Sequence, residues 1–72
     1  MTNRDKLMTL GEALHGPRWQ MATASDLAVD KRQVHRWLSG QYAVPDGVVS
    51  DLVIIARRRA ASLNAAIAAS TK

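Results

Sequence analysis

Residues 20–40 contain two short helical patterns separated by only three residues, and this spacing constrains the fold more than any other feature of the chain. Ala24, in the first pattern, is small enough to let two helices approach each other closely. Asp30 is a favourable N-cap for the second pattern, and Gly40 is a favourable residue just after its end. The apolar anchors are Leu27, Val29, Val34 and Trp37. The stretch therefore predicts two helices joined by a tight turn, with the second helix presented to a partner.

The composition favours one small domain that gains stability by pairing. The chain has 72 residues, which allows a single domain spanning 1–72. It has no Cys, so disulfides and thiolate metal sites are excluded. The apolar fraction is 47%, but much of it is Ala and there is no Phe, so the core is small and a dimer is favoured. Ten Lys and Arg against six acidic residues give a net charge of +4, which suits a polyanionic partner.

Helical periodicity continues on both sides of this stretch. A capping box at Thr2 begins the first helix, and Pro17 is a favourable first residue for the second. The predicted helices span about residues 3–15, 17–28, 31–39 and 46–69. No segment alternates as a strand would, so the sequence predicts an all-α domain of four helices.

The last predicted helix carries two apolar stripes. The first stripe, Val48, Leu52 and Ile55, is expected to face the core. Residues 52–56 are apolar all round, and such a segment must be covered on two sides, which a domain of this size does not do alone. We therefore expect the other side to meet a second copy of the chain. The predicted homodimer interface comprises Val49, Val53, Ile54, Ala56, Ala60, Leu63 and Ile67.

Residues 20–39 resemble the helix-turn-helix of the Cro/repressor (XRE-like) family of phage and bacterial regulators. The matching residues are Gln20, Ala24, Asp26-Leu27-Ala28-Val29, Val34 and Trp37. The family usually has Gly where this chain has Ala28. The flanking stretches 16–19 and 36–45 resemble a small subfamily of phage-type regulators. The resemblance implies a lambda-repressor/Cro-like fold, with a helix-turn-helix core at about 17–40 and a C-terminal dimerisation helix at about 46–69.

The second helix of the motif has a basic face opposite its apolar face. The major groove of B-DNA admits one helix, whose groove-facing side chains lie near its N-terminus while its back is buried. Arg can donate two hydrogen bonds to guanine, and Gln can pair with adenine. The predicted base-reading residues are Lys31, Arg32, Gln33, His35 and Arg36. The predicted phosphate-binding residues are Arg18, Gln20, Gln41 and Tyr42, and the role of Gln20 is implied by the resemblance.

Catalysis and metal binding are weaker hypotheses. His35 and Ser39 share a helix face, but nothing in the sequence points to a third group that would orient the His. His15 and His35, without any Cys, do not supply the three or four ligands of a metal site. We therefore expect no enzyme activity, metal, cofactor or small-molecule ligand. The run 57–59, which is all Arg, either contacts flanking phosphates or solubilises the end of the last helix, and the second reading is favoured.

These features lead us to expect sequence-specific binding of double-stranded DNA by a homodimer that represses transcription by covering a promoter. Small proteins that resemble this chain are often autorepressors of phage or mobile-element operons, including operons that carry anti-CRISPR genes. With no apolar run near the ~20 residues of a membrane span and no signal peptide, a cytoplasmic, nucleoid-associated protein of a bacterial host cell is expected.

Two alternatives remain open. An antitoxin-like module would combine the same DNA-binding domain with a tail, residues 57–72, that binds a partner protein. A DNA-bending recombination factor would bind DNA through the same motif, but the sequence does not report bending.

Overall fold

The computed structural model describes residues 1–71, which are helical with short connections. The α-helices are α1 (Asn3–His15), α2 (Trp19–Leu27), α3 (Lys31–Leu38) and α4 (Asp46–Ser70), with a 3₁₀ helix at Gly16–Arg18. No strand occurs within residues 1–71, and the predicted all-α class is confirmed. Pro17 lies in the 3₁₀ helix rather than at the start of α2, because a tighter turn fits the short space between α1 and α2.

The beginning of α1 is fixed by a capping box. The Thr2 hydroxyl accepts a hydrogen bond from the Asp5 N–H at 3.1 Å, and the Asp5 carboxylate accepts one from the Thr2 N–H at 3.2 Å. Accepting that N–H lowers the pKa of the Asp5 carboxyl below its usual value. The two bonds satisfy backbone N–H groups that a helix start otherwise leaves without partners, so α1 begins where the sequence predicts.

The core is small, and every α-helix contributes at least one side chain to it. The buried apolar residues are Leu7, Trp19, Ala24, Val34, Trp37, Val44 and Leu52. Val34 and Trp37 belong to α3, so the back of this helix is anchored in the core. Leu52 anchors α4, and Val48 and Ile55 pack beside it as the first apolar stripe predicts.

The closest approach in the core lies between α1 and the Trp19 side chain. Gly11 is buried in α1, and a Cβ at this position would overlap the indole ring of Trp19. The absence of a side chain at Gly11 therefore lets the Trp19 ring lie directly on the backbone of α1. Gly47, in the first turn of α4, has open space where a Cβ would be, so it serves as a control for the effect of Gly on a helix.

We predict that Gly11→Ala lowers the free energy of unfolding by about 1–3 kcal/mol, because displacing the Trp19 ring costs more than the gain in helix propensity. The matched change Gly47→Ala meets no neighbour, and we expect it to leave stability unchanged or to raise it by up to about 1 kcal/mol. Urea unfolding followed by circular dichroism measures both. An increase in stability for Gly11→Ala would show that Trp19 does not need this close contact.

Two side chains at the start of α1 tie together the end of α3 and the start of α4. The Asn3 Nδ2 donates hydrogen bonds to the Val44 carbonyl at 2.9 Å and to the Asp46 carboxylate at 2.6 Å. The Arg4 Nε donates to the Leu38 carbonyl at 2.7 Å. The last carbonyls of a helix lack intrahelical partners and favour a cation, so Arg4 stabilises the end of α3.

The second half of α4 projects away from the core. Every side chain from residue 57 to residue 71 is exposed. The molecule measures 49 × 20 × 19 Å, and the 25 residues of α4, at about 1.5 Å per residue, account for most of the long dimension. Within residues 1–71, no helix has both the length and the apolar character needed to cross a membrane.

Candidate nucleic-acid interface

The turn between α2 and α3 depends on a left-handed residue. Ala28 has φ 56° and ψ 41°, and it is the only residue other than Gly with a positive φ within residues 1–71. The Ala28 N–H donates to the Ser25 carbonyl at 3.1 Å, and the Val29 N–H donates to the Ala24 carbonyl at 2.9 Å. These bonds close the end of α2 while the left-handed residue redirects the chain toward α3. The Cβ of Ala makes this conformation costly.

We predict that Ala28→Gly raises the free energy of unfolding by about 0.5–1 kcal/mol, because the relief of left-handed strain exceeds the added freedom of Gly in the unfolded chain. The control is Ala13→Gly, an exposed position in α1, where we expect a loss of about 1 kcal/mol. Chemical unfolding of the two variants against the parent chain measures the difference. Destabilisation by both changes to a similar extent would contradict the assigned strain at Ala28.

α3 presents its cations on the face opposite its buried residues. Asp30 caps the helix, with its carboxylate accepting the Arg32 N–H at 2.8 Å. Four predicted base-reading residues are exposed, while Gln33 is half-buried at the edge of the face. The exposed four are Lys31, Arg32, His35 and Arg36. Because residues i, i+1, i+4 and i+5 lie on one side of a helix, these side chains form a single surface, which we call the α3 face.

Asp30 also contacts the side chain of Arg32. The Arg32 Nε lies 3.4 Å from the same carboxylate oxygen that caps the helix. The hydrogen bond from the Arg32 N–H, together with the Arg32 guanidinium and the charge of Arg36, lowers the pKa of the Asp30 carboxyl below its usual value. Asp30 therefore keeps its negative charge at neutral pH, next to two cations of the α3 face.

A cleft beside the α3 face brings together three of the predicted DNA-contacting residues. It has a volume of about 410 Å³ and lies where the N-terminal ends of α2 and α3 meet. The lining residues are Pro17, Arg18, Gln20, Met21 and Lys31. Arg18 and Lys31 are both exposed, so the cleft offers two cations and an amide to an anion such as a phosphate.

The other two predicted phosphate-binding residues, Gln41 and Tyr42, follow the opposite end of α3. The Tyr42 N–H donates to the Arg36 carbonyl at 3.3 Å, and the Gln41 N–H donates to the Ser39 hydroxyl at 3.4 Å. Both side chains are exposed. The predicted phosphate-binding residues therefore lie in two groups, one at each end of the α3 face.

The residues of the predicted homodimer interface do not all lie on one side of α4. Val49 is partly buried and packs against the core. Leu63 and Ile67 are more than half exposed, and Ile54 is about half exposed. Ile54 and Leu63 are nine positions apart, which at about 100° per residue puts them on opposite sides of the helix. Ile54 instead lines a cleft between α2 and α4, with Leu27 and Asp51 among its neighbours.

His15 forms a contact that the sequence did not indicate. Its Nε2 lies 2.7 Å from the Asp26 carboxylate and ties the end of α1 to α2. The contact joins residues 11 positions apart on different helices, and periodicity within one helix gives no signal for it. Within residues 1–71, no group of three or more His, Cys, Asp and Glu is placed to hold a metal ion.

Comparison of the chain with protein-family models, with curated proteins and with solved structures finds no match. The features of the molecule that bear on function are the α3 face, the cleft beside it and the exposed apolar residues of α4.

Proposed function

We propose that this protein is a helix-turn-helix repressor that binds a specific sequence of double-stranded DNA as a homodimer. The observation that carries the proposal is the α3 face, which exposes Lys31, Arg32, His35 and Arg36 while Val34 and Trp37 fix the back of the helix in the core. A helix that reads the major groove needs both properties, because its side chains must reach base edges from a rigid position.

The surroundings of α3 support the same proposal. Phosphate contacts position a protein on the duplex, whereas contacts with base edges select the sequence. The cleft with Arg18, Gln20 and Lys31 lies at one end of α3, and Gln41 and Tyr42 lie at the other. α3 would then enter the groove, and the side chains at its two ends would contact the sugar–phosphate backbone on either side of the groove.

A second copy of the chain is proposed to cover the exposed apolar face of α4. Val53, Ala56, Ala60, Leu63 and Ile67 recur at intervals of three and four residues, so they form one stripe on the helix. A two-fold axis brings the same stripe of both chains together. Two α3 helices then enter successive major grooves about 34 Å apart, and the operator is an inverted repeat. Regulation follows from occupancy of a promoter, including the protein's own.

The test is a binding titration with the DNA just upstream of this protein's own gene, with a scrambled duplex as reference. We expect the upstream duplex to bind about 10³-fold more tightly, as specific sites do at physiological salt. Arg36→Ala should weaken operator binding by about 1–3 kcal/mol and relax the preference at one base pair per half-site. Arg58→Ala removes the same charge from an exposed position on α4 and is the matched control.

Each of the other outcomes of this titration would contradict a different part of the proposal. Equal binding to both duplexes, falling steeply with salt, would contradict sequence-specific recognition and leave only contact with phosphates. If Arg36→Ala weakened binding to every duplex by the same factor, Arg36 would be a phosphate contact rather than a base contact. An equal effect of Arg58→Ala would show that the loss in Arg36→Ala reflects charge or contact with phosphates rather than the reading of a base.

The proposed dimer is tested by placing one negative charge on either side of α4. We expect Leu63→Asp to produce a monomer of unchanged helicity, because Leu63 is 59% exposed in the single chain and a buried carboxylate would disrupt the pairing. Ile54→Asp adds the same charge on the opposite side of the helix, and this variant should remain a dimer. Sedimentation velocity gives the oligomeric state, and circular dichroism gives the helicity.

Other results for these variants would indicate a different interface or a different function. A dimer that survives Leu63→Asp but not Ile54→Asp would move the interface to the cleft between α2 and α4. A parent chain that is monomeric, with rapid amide exchange from residue 57 onward, would favour the antitoxin-like function. The observation that favours this second function is the exposure of every residue from 57 to 71.

A further inference from the structure

The negative charge of Asp30 lies among the cations of a surface that is proposed to meet DNA. One carboxylate oxygen accepts the Arg32 backbone N–H at 2.8 Å and lies 3.4 Å from the Arg32 Nε. The two side chains are exposed, at 62% for Asp30 and 81% for Arg32. Asn or Ser would cap the helix about as well, and neither would repel phosphates. The charge of Asp30 also favours the positive end of the α3 dipole, so its effect on DNA binding must be measured separately from its effect on the helix.

The contact has a direct consequence for how Arg32 can bind a base. The guanidinium group is planar and carries its donors in a fixed fork. With Nε–H directed at the Asp30 carboxylate, the two terminal nitrogen atoms remain free. Two donors side by side match the O6 and N7 acceptors of guanine, which lie on one edge of the base. Asp30 thus restricts Arg32 to orientations in which this pair of donors points away from the cap.

The strength of the contact depends on its surroundings. In the free protein the pair is surrounded by water, where such contacts contribute little. In a groove from which water is displaced, the same charges interact more strongly, and the phosphates repel Asp30 on every sequence. Only a guanine that accepts hydrogen bonds from the oriented Arg32 offsets this repulsion. The carboxylate therefore weakens binding to wrong sequences more than binding to a site with guanine in the correct place.

We propose that Asp30 is a specificity-determining positioning residue, which directs the Arg32 guanidinium toward a guanine and weakens binding to DNA that lacks it. This inference rests on the proposed DNA binding. It assigns to Asp30 a role in sequence discrimination that is separate from its role as the N-cap of α3.

The test is a double-mutant cycle on the ratio of operator to scrambled-duplex affinity. The four chains are the parent, Asp30→Asn, Arg32→Ala and the double variant. Asn keeps the N-cap and removes the charge, and thermal unfolding verifies that the fold is retained. Asp51→Asn, an exposed position on α4, removes the same charge away from α3 and is the matched control.

We expect Asp30→Asn to raise affinity for the scrambled duplex about two- to five-fold, since a repulsive charge is lost. The ratio of operator to scrambled affinity should fall roughly three- to ten-fold, because Arg32 loses its fixed orientation. In the Arg32→Ala chain, removing the Asp30 charge should leave the ratio unchanged. Asp51→Asn should alter neither quantity appreciably.

Three results would overturn the inference. An unchanged ratio in Asp30→Asn, with affinity raised equally for both duplexes, would make Asp30 only a repelling charge. The same fall of the ratio in the Arg32→Ala chain would show that Asp30 acts without Arg32, for example by contacting a base itself. A parent chain that binds both duplexes equally would refute the proposed function, and this inference with it, whereas the first two results leave sequence-specific binding intact.

Discussion

The contact of the Trp19 ring with the backbone of α1 at Gly11 determines where the rest of the chain lies. Few large side chains are available to this core, and its two Trp residues, each 4% exposed, are the largest of them. Trp19 is the first residue of α2, and its ring sets how closely and where α2 lies on α1. The position of α3 follows from that of α2, because only a short turn separates them.

The orientation of α3 is fixed at both of its ends and along its back. Ala28 turns the chain at one end, and Arg4 binds the Leu38 carbonyl at the other. Val34 and Trp37 hold the buried side. The proposed function requires a surface held to within a fraction of an ångström, and a helix held in three ways meets this requirement better than a loop does. The exposed cations of α3 thus lie on an element that is held at both ends and along its back.

The helices and the exposed face of α3 could be predicted from the sequence because both depend on local patterns. Caps such as Thr2 and Asp30 act within a few residues, and helical periodicity separates Val34 from Arg36 without knowledge of the fold. The bonds from Asn3 and Arg4 to the α3–α4 connection could not be predicted. They join residues more than 30 positions apart, and their formation depends on where α1 lies relative to the end of α3 and the start of α4.

α4 shows why periodicity alone does not separate the core-facing residues of the predicted homodimer interface from the exposed ones. A stripe on a long helix continues through buried and exposed regions, and the sequence does not show where the core ends. In the structure the boundary falls near Ala56, so Val49 packs partly against the core while Leu63 and Ile67 extend beyond it. Ile54 is also apolar, but it lies on the opposite side of α4, where it lines a cleft together with Leu27. One helix therefore has two apolar surfaces, and only the surface with Leu63 continues away from the domain, where a second copy of α4 can lie along it.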